Sequence, residues 1–372
     1  MLYGRLGQKV QVRHLSKSFG KVSALQDLSF DVEPGELVAF LGPSGCGKTT
    51  ALKTIAGLLP GHGGEISFGG ERIDHLPPNR RNIGLVFQNY SLFPHMTVNE
   101  NIGYGLRMRR WSAERRMARV REMLALARLE GLGERKPEQL SGGQQQRVAL
   151  VRAMAFMPDL LLLDEPLSNL DAGLREDVRT DMRNIQRRTR QTTILVTHDQ
   201  EEALVMSDRI VLMNQGRVEQ IDSPEQLYSM PATEFAARFI GRGNIFHGAY
   251  LRDGDKDAVR IEGLDTPLPA STRAPAVGPS GSPVAACIQP EQIVVRARND
   301  IETLKAHWPG AFITTGKIVD IAFHGGSSVL HLDVERAGLI KCRRPVAEVQ
   351  GLCFGDRVVV GILDCHLMPR SE

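Results

Sequence analysis

The chain has 372 residues, 42% of them hydrophobic, a formal net charge of +3 and five cysteines. That length suits two domains rather than one, and the apolar share is ample for their cores. So small a net charge does not by itself call for nucleic acid. An odd cysteine count without C-x-x-C spacing points to neither a disulfide framework nor a zinc site and fits a reducing compartment. Met1-Leu2-Tyr3-Gly4-Arg5 lacks the apolar core of a signal peptide. No run of about 18 uncharged apolar residues is present to span a bilayer. The expectation is a cytoplasmic chain that can dock on a membrane protein without crossing the membrane.

In chain order, the alternating runs Val10-Gln11-Val12 and Leu28-Ser29-Phe30-Asp31-Val32 predict short strands. Between them Lys17-Ser18-Phe19-Gly20 sets an aromatic beside a glycine turn. Phe19 has two readings, core packing or a flat apolar platform for an adenine ring. The run Glu36-Leu37-Val38-Ala39-Phe40-Leu41 predicts a buried strand, and a helix is expected over 49–57. Between them Gly42, Pro43, Ser44, Gly45, Cys46, Gly47, Lys48 and Thr49, followed by Thr50, read G-x-x-x-x-G-K-T. That is the phosphate-binding P-loop in the strand–loop–helix setting it requires. Glycines let backbone N–H groups turn inward on anionic oxygens, and the helix start adds partial positive charge. Lys48 then reaches the β- and γ-phosphates, and the Thr49 hydroxyl is placed for Mg²⁺.

Beyond the breaker cluster Gly61-His62-Gly63-Gly64, the runs Glu65-Ile66-Ser67-Phe68 and Ile83-Gly84-Leu85-Val86-Phe87 predict two more strands. The second ends at Gln88, at the strand edge where α/β sheets place ligand contacts. Its amide oxygen can bind Mg²⁺ or the attacking water. Residues 98–130 predict helix and carry Arg107, Arg109, Arg110, Arg115, Arg116, Arg119 and Arg121. With no aromatics between the charges, the expectation is a solvated face with Met117, Val120, Leu124 and Leu126 toward the core, rather than a nucleic-acid surface.

Leu140-Ser141-Gly142-Gly143-Gln144 opens a helix to about Met157, with Ser141 as N-cap. This glycine-rich helix start is a second anion-seeking terminus. Leu160-Leu161-Leu162-Leu163 predicts a parallel strand buried on both faces. Asp164 and Glu165 at its end are too costly to bury without a cation. Asp164 is read as a Mg²⁺ ligand and Glu165 as the general base for water. Ser168-Asn169-Leu170-Asp171 leads into a helix around 172–190, and the strand Thr193-Ile194-Leu195-Val196-Thr197 ends at His198. A lone histidine is more often structural. This one sits on the same sheet edge as Gln88 and Glu165, which favours contact with a γ-phosphate and the attacking water. A hairpin around Asn214-Gln215-Gly216 and helices near 224–229 and 233–240 complete the first part.

Gly241-Arg242-Gly243-Asn244 marks the expected boundary. Beyond it, short alternating runs at 284–288, 292–295, 317–323, 328–334 and 357–362 predict a small β-barrel with little helix. The Pro-, Ser- and Gly-rich stretch 265–283 predicts a mobile loop.

Together these motifs resemble the ATP-binding cassette (ABC) ATPases, in the form of a nucleotide-binding subunit of a bacterial import system. Residues 42–49 are similar to the Walker A motif and 160–164 to Walker B. Gln88 falls on the Q-loop, Leu140 to Gln144 on the LSGGQ signature, Ser168 to Asp171 on the D-loop and His198 on the switch. The departures are Phe19 where tyrosine is frequent and Asn169 where a small residue is usual. Residues 242–372 resemble the transport-associated OB-type (TOBE) domain of importer subunits.

The resemblance implies an α/β P-loop NTPase cassette over 1–241, with a helical subdomain at about 92–157. A small all-β OB-like barrel of regulatory role follows. It implies ATP and Mg²⁺ as cofactors, with Lys48, Glu165 and His198 catalytic and Thr49, Gln88 and Asp164 at the metal. It implies a second copy of the chain, whose Ser141, Gly142, Gly143, Gln144 and Asp171 complete the site across the interface. Two transmembrane permease subunits would be met through residues 88–96, where Leu92-Phe93-Pro94 reads as an exposed apolar stretch. A solute-binding protein acts only indirectly, and nucleic acid is not expected. The location implied is peripheral, on the cytoplasmic face of the inner membrane. The barrel and Q-loop text look closest to the polyamine, ferric-iron and phosphonate branch. Sulfate, molybdate or sugar import is the alternative, with a soluble cassette acting on nucleic acid well behind.

Overall fold

The computed structural model describes residues 7–370 apart from 242, 254–255, 262–263, 265, 275–276 and 298–300. It divides into two compact units, Met1–Pro224 and Glu225–Glu372.

In the first unit, strands β1 (Val10–Phe19) and β2 (Val22–Val32) precede β3 (Leu37–Leu41) and helix α1 (Lys48–Ile55). Strands β4 (Gly63–Phe68), β5 (Glu71–Arg72) and β6 (Ile83–Val86) follow. Three helices come next, α2 (Val98–Met108), α3 (Ala113–Leu126) and α4 (Gly142–Met154). The unit then alternates through β7 (Leu160–Asp164), α5 (Ala172–Thr189), β8 (Thr193–Val196) and α6 (Gln200–Met206) to the hairpin β9 (Arg209–Asn214) and β10 (Arg217–Asp222).

Two sheets result. One is antiparallel, in the order β2-β1-β4-β5. The other runs β10-β9-β3-β8-β7-β6. In it β3 pairs parallel with β8 and β9, and β7 pairs parallel with β6 and β8. Parallel pairing puts the ends of β3, β6, β7 and β8 on one edge, which is where α/β sheets gather ligand contacts. The four leucines of β7 are at most 2% exposed, as a strand covered on both faces requires. Between the sheets, Leu52 and Ile55 of α1 join Val12, Leu15 and Phe30 with Phe40 and Leu162 in one core. Phe30 and Phe40 meet edge to face with ring centroids 5.0 Å apart.

The helical stretch expected over 98–130 is two helices. Arg110 takes a left-handed conformation (φ 58°) and breaks the run. Ser112 then caps α3 by accepting from Arg115 N. Its arginines are not simply solvated. Arg109 lies 4.1 Å from the Phe156 ring and Arg115 3.8 Å from Trp111, so aromatics do accompany the charges. Arg119 pairs with Glu122 at 2.7 Å and donates to Ala155 O.

The second unit takes in α8 (Glu234–Ile240), after α7 (Pro224–Ser229). The compact units therefore part earlier than the glycine cluster at 241–244 suggests. The reason is that α8 packs on the β domain, where Glu234 Oε1 lies 3.1 Å from His247 Nε2. Strands β11 (Asn244–Asp253), β12 (Lys256–Ile261), β13 (Leu268–Arg273) and β14 (Pro283–Ile288) come next. They are followed by β15 (Ile293–Ala297), α9 (Ile301–His307), β16 (Phe312–His324), β17 (Ser327–Val334) and β18 (Gly338–Pro345). The last strands are β19 (Arg357–Ile362) and β20 (Cys365–Pro369). A closed barrel runs β11-β12-β13-β20-β14, and a five-stranded sheet runs β15-β19-β16-β17-β18. The domain is thus a barrel plus a sheet. The loop expected over 265–283 contains β13, held by β12 and by parallel pairing with β20. Helix α9 is a second departure; its Leu304 packs with Val294 and Val359 on one sheet face.

The helix that follows the P-loop is anchored at its far end by Arg81, which is 5% exposed. Its Nη1 donates to Thr54 O and Ile55 O at 3.0 and 2.8 Å. Its Nε and Nη2 donate to Leu76 O and Asp74 O. A guanidinium at the last carbonyls satisfies groups the helix leaves unpaired and opposes their negative partial charge. Arg81→Met should lower the unfolding free energy by about 3 kcal/mol. Urea denaturation followed by circular dichroism checks this.

Candidate active site

At the end of β3 the chain cannot turn into α1 without close backbone approaches. Gly47 is the N-cap of α1 at φ 104°, and a Cβ there would lie 2.6 Å from Ala24 O. A Cβ on Gly42 would lie 2.2 Å from Met213 O. Glycine is the residue that fits both. The β9–β10 turn backs the loop, with Gly216 N donating to Cys46 O at 3.0 Å and Gln26 N to Gly216 O at 2.8 Å. Cys46 is buried, Pro43 half-buried, and Ser44 and Gly45 exposed. The Lys48 ammonium is curled under the loop, donating to Gly42 O and Pro43 O at 2.8 and 2.9 Å. The half-buried Thr50 lends its carbonyl to Thr54.

The neighbouring strand ends converge here. The Thr49 hydroxyl donates to Asp164 Oδ1 at 3.2 Å across the β3–β7 gap. Asp164 is 8% exposed. Burial pushes its carboxyl above the ordinary value, and the Thr49 hydrogen bond pulls the other way. Glu165 sits at φ 46°, an unusual conformation for a side-chain-bearing residue, with its N–H donating to Val196 O at 2.9 Å. That turn brings its carboxylate to 3.1 Å from Nδ1 of His198, which is 56% exposed. Gln88 is exposed at the end of β6, and its carbonyl accepts from Asn169 Nδ2 at 2.9 Å. Phe19 is 48% exposed at the end of β1 with Lys17 Nζ 5.3 Å over its ring, so core packing is not its role.

Ser141, Gly142, Gly143 and Gln144 are engaged elsewhere. Ser141 caps α4, and Gln144 Oε1 accepts its N–H at 3.0 Å, forming a capping box. A Cβ on Gly143 would lie 3.0 Å from Val178 of α5, so this glycine lets two helices approach, while Ser141 stays exposed. Asp171 caps α5 by accepting from Leu174 N at 3.0 Å. Sequence reasoning missed Arg152, whose guanidinium holds the loop after Gln88 through Ser91 O and Tyr90 O at 2.7 and 2.9 Å. It also missed Arg175, Thr197 and Glu202, which line a cavity of ≈ 70 Å³ with Glu165 and His198. Arg152, Arg175 and Glu202 sit in helices where the sequence offers no local signal. A wide polar basin of ≈ 870 Å³, lined among others by Ser16, Lys17, Ser23 and Arg217, includes none of the site residues.

A phosphate loop, a carboxylate bonded to its threonine and a second carboxylate paired with histidine define a P-loop nucleoside triphosphatase. The comparisons with known proteins narrow the class. The profile of the family described as ABC transporter matches residues 25–168. The sulfate/thiosulfate import ATP-binding protein CysA of Xanthomonas campestris is 45% identical over 318 residues, covering 84% of this chain and 90% of its own length. The spermidine/putrescine import ATP-binding protein PotA of Nitratidesulfovibrio vulgaris is 42% identical, covering 86% and 84%. The Fe(3+) ions import ATP-binding protein FbpC of Rhizobium etli is 47% identical, covering 70% and 74%. Among solved structures, the dimeric bacterial ABC transporter cassette MJ0796 is similar with a TM-score of 0.52 and 33% identity, covering 58% of this chain and 98% of that one. The chain belongs to the ABC transporter family and is an ATP-binding cassette ATPase with an all-β domain after the cassette.

The position of Asp164 carries a test. Its raised pKa means the native state binds a proton more tightly than the unfolded chain. Its stabilising contribution is therefore full below the unfolded carboxyl value and is lost as pH rises through the folded one. Asp164→Asn should melt higher than the parent at pH 7, without nucleotide or divalent cation, with the gap closing toward pH 4. Calorimetry across that range checks the sign.

Proposed function

We propose that this chain is the energy-coupling subunit of a solute importer, with its ATP site completed by a second copy. The observation that supports this most directly is the strand-end cluster. Asp164 lies 3.2 Å from the Thr49 hydroxyl. One residue on, Glu165 lies 3.1 Å from His198. The P-loop N–H groups and Lys48 bind the β- and γ-phosphates, Lys48 exchanging the carbonyls of Gly42 and Pro43 for phosphate oxygens. Phe19 offers its exposed ring to the adenine. Glu165 takes a proton from the attacking water as general base. His198 contacts the γ-phosphate and orients Glu165.

The donor set suits Mg²⁺. Asp164, Thr49 and Gln88 offer hard oxygens, and burial of the Asp164 carboxylate outweighs the pull of Lys53 and Lys48 upon it. No cluster of three or more histidine, cysteine or acidic side chains suited to a metal occurs among the described residues. An ion that keeps waters and phosphate oxygens as ligands needs none. When bound, Mg²⁺ supplies positive charge at the β- and γ-phosphates.

Two copies facing head to tail bring the exposed Ser141 and the start of α4 of one onto the γ-phosphate held by the other, with Asp171 near the seam. Only ATP carries that phosphate, so only ATP favours the closed pair. The dimeric form of the similar cassette MJ0796 supports this reading. No helix among the described residues is long and apolar enough to cross a membrane. We place the chain peripherally on the cytoplasmic face of the inner membrane, with two separate permease subunits contacting the segment 88–96. In that segment Phe93 packs on Tyr104 at 4.6 Å, and Pro94 and His95 are exposed. Leu92 and Phe93 are half-buried, so of the apolar stretch expected to be exposed only Pro94 is fully so. The second unit is assigned a regulatory role. The cargo is proposed to be a polyamine or an inorganic ion such as ferric iron, in line with the similar proteins' names. A binding protein encoded beside this chain, with its ligand identified by calorimetry, would test that assignment.

Glu165→Gln should cut hydrolysis by about 10³-fold while ATP still drives dimerisation. Turnover assays and size-exclusion chromatography with ATP read both; near-parental hydrolysis would remove Glu165 as base. Ser141→Arg should abolish the closed dimer and leave nucleotide affinity of the monomer unchanged in equilibrium dialysis. Lost monomer binding would refute the two-copy site.

A further inference from the structure

Behind Glu165 and His198 lies a buried carboxylate to which the catalytic roles above give no part. Glu202, in the first turn of α6, is 3% exposed. Its Oε2 accepts the Thr197 hydroxyl at 2.7 Å. The same hydroxyl oxygen accepts the N–H of Asp199 at 3.0 Å. The Thr197 N–H donates to Phe40 O of β3 at 3.2 Å. The residues on both sides of His198 are thus tied, Thr197 to the P-loop strand through its N–H and to both Glu202 and Asp199 through its hydroxyl. Asp199 closes the corner by capping α6, accepting the N–H groups of Glu201 and Glu202 at 2.8 and 3.3 Å.

The loop 168–171 is fastened to the same place. Arg175 Nη2 donates to Leu170 O at 3.0 Å, and its Nη1 lies 3.7 Å from Asp199 Oδ2. Burying a carboxylate here is unfavourable. Desolvation pushes Glu202 above its ordinary value, the Thr197 hydrogen bond opposes this, nearby Asp199 adds to it, and Arg175 and His198 oppose it. An apolar side chain would fill the space more cheaply but could not accept the Thr197 hydroxyl.

We propose that Glu202 is a positioning residue for the switch histidine. Through Thr197 it holds the 197–199 turn so that His198 Nδ1 stays at the Glu165 carboxylate. This rests on the reading of His198 as part of the hydrolytic site. A histidine free to drift by about 1 Å would cost roughly 10²-fold in turnover, with little effect on ATP binding at the P-loop on another strand.

The test uses the full chain with MgATP and measures kcat, KM and nucleotide affinity. Glu202→Met and the near-isosteric Thr197→Val should each lower kcat by at least about 30-fold with KM and nucleotide affinity within about twofold. Glu202→Gln keeps an acceptor oxygen for Thr197 and should stay within about threefold of the parent. The double variant should be no worse than the worse single one, since the same Thr197–Glu202 hydrogen bond is lost in each and Thr197→Val alone also gives up the bond from the Asp199 N–H. If Glu202→Met destabilises the fold, Thr197→Val decides, with thermal melting as the control. Parental kcat in Thr197→Val, an equal loss in Glu202→Gln and Glu202→Met, or effects that multiply in the double variant would overturn the proposal. His198→Ala separates the two levels. If it retains turnover, the reading of His198 fails and the proposal with it. If it is inactive while Glu202→Met and Thr197→Val are active, only the positioning proposal fails.

Discussion

A carboxylate 8% exposed at the end of a strand of four buried leucines is costly to ionise, and nearby positive charge offsets that cost. The first unit is built around that constraint at Asp164. Parallel pairing of β6, β7, β8 and β3 delivers Gln88, Asp164, His198 and the P-loop to a single edge. The Thr49 hydroxyl is a neutral donor bonded to Asp164. Lys48 is meanwhile satisfied by loop carbonyls. Those carbonyls hold Lys48 beneath the phosphate loop, within reach of an anion bound there.

Glu165 departs from its neighbour by a single backbone choice. Its N–H still takes the next rung of the β7–β8 ladder, on Val196 O, while its positive φ turns the chain that follows out of β7. Non-glycine residues held this way store on the order of 1 kcal/mol or more and persist where surrounding structure holds them. Here that structure is the loop 168–171, anchored by Ser168 to Glu165 O, by Asn169 to Gln88 O and by Arg175 to Leu170 O. Two carboxylates adjacent in sequence thereby face different tasks, one toward the Thr49 hydroxyl and the other toward an exposed imidazole.

What was legible in the sequence was legible because it is local. The glycine spacing of the P-loop, the Ser141 N-cap and the leucine run each carry their geometry within a few residues. The contacts that support them are not local. Asn169 reaches a carbonyl 81 positions away, Arg152 one 62 away, and Arg81 the end of a helix 26 residues earlier. No periodicity announces such pairings. The arginines of α2 and α3 show the same limit from the other side. They read as one solvated stripe, yet Arg109 and Arg115 lie on aromatic rings and Arg119 turns inward. Asn169, noted only as a departure from the usual D-loop residue, is the side chain that ties that loop to Gln88.

The second unit draws the same line more sharply. Alternation in the sequence implied strands there, because a half-buried strand must alternate. It could not say that those strands divide between a closed barrel and a separate sheet. That division depends on Ala270 pairing with Cys365 and on Ile293 and Phe312 both pairing with Ile362, partners separated by as much as 95 positions. By itself the sequence determined the chemistry of this protein, since phosphate loops, capped helix starts and buried strands are short-range consequences of residue type. The tertiary structure alone decided which carboxylate meets the threonine and which the histidine, and what holds each there. Those outcomes depend on which strand ends become neighbours, and strand order is set by long-range packing.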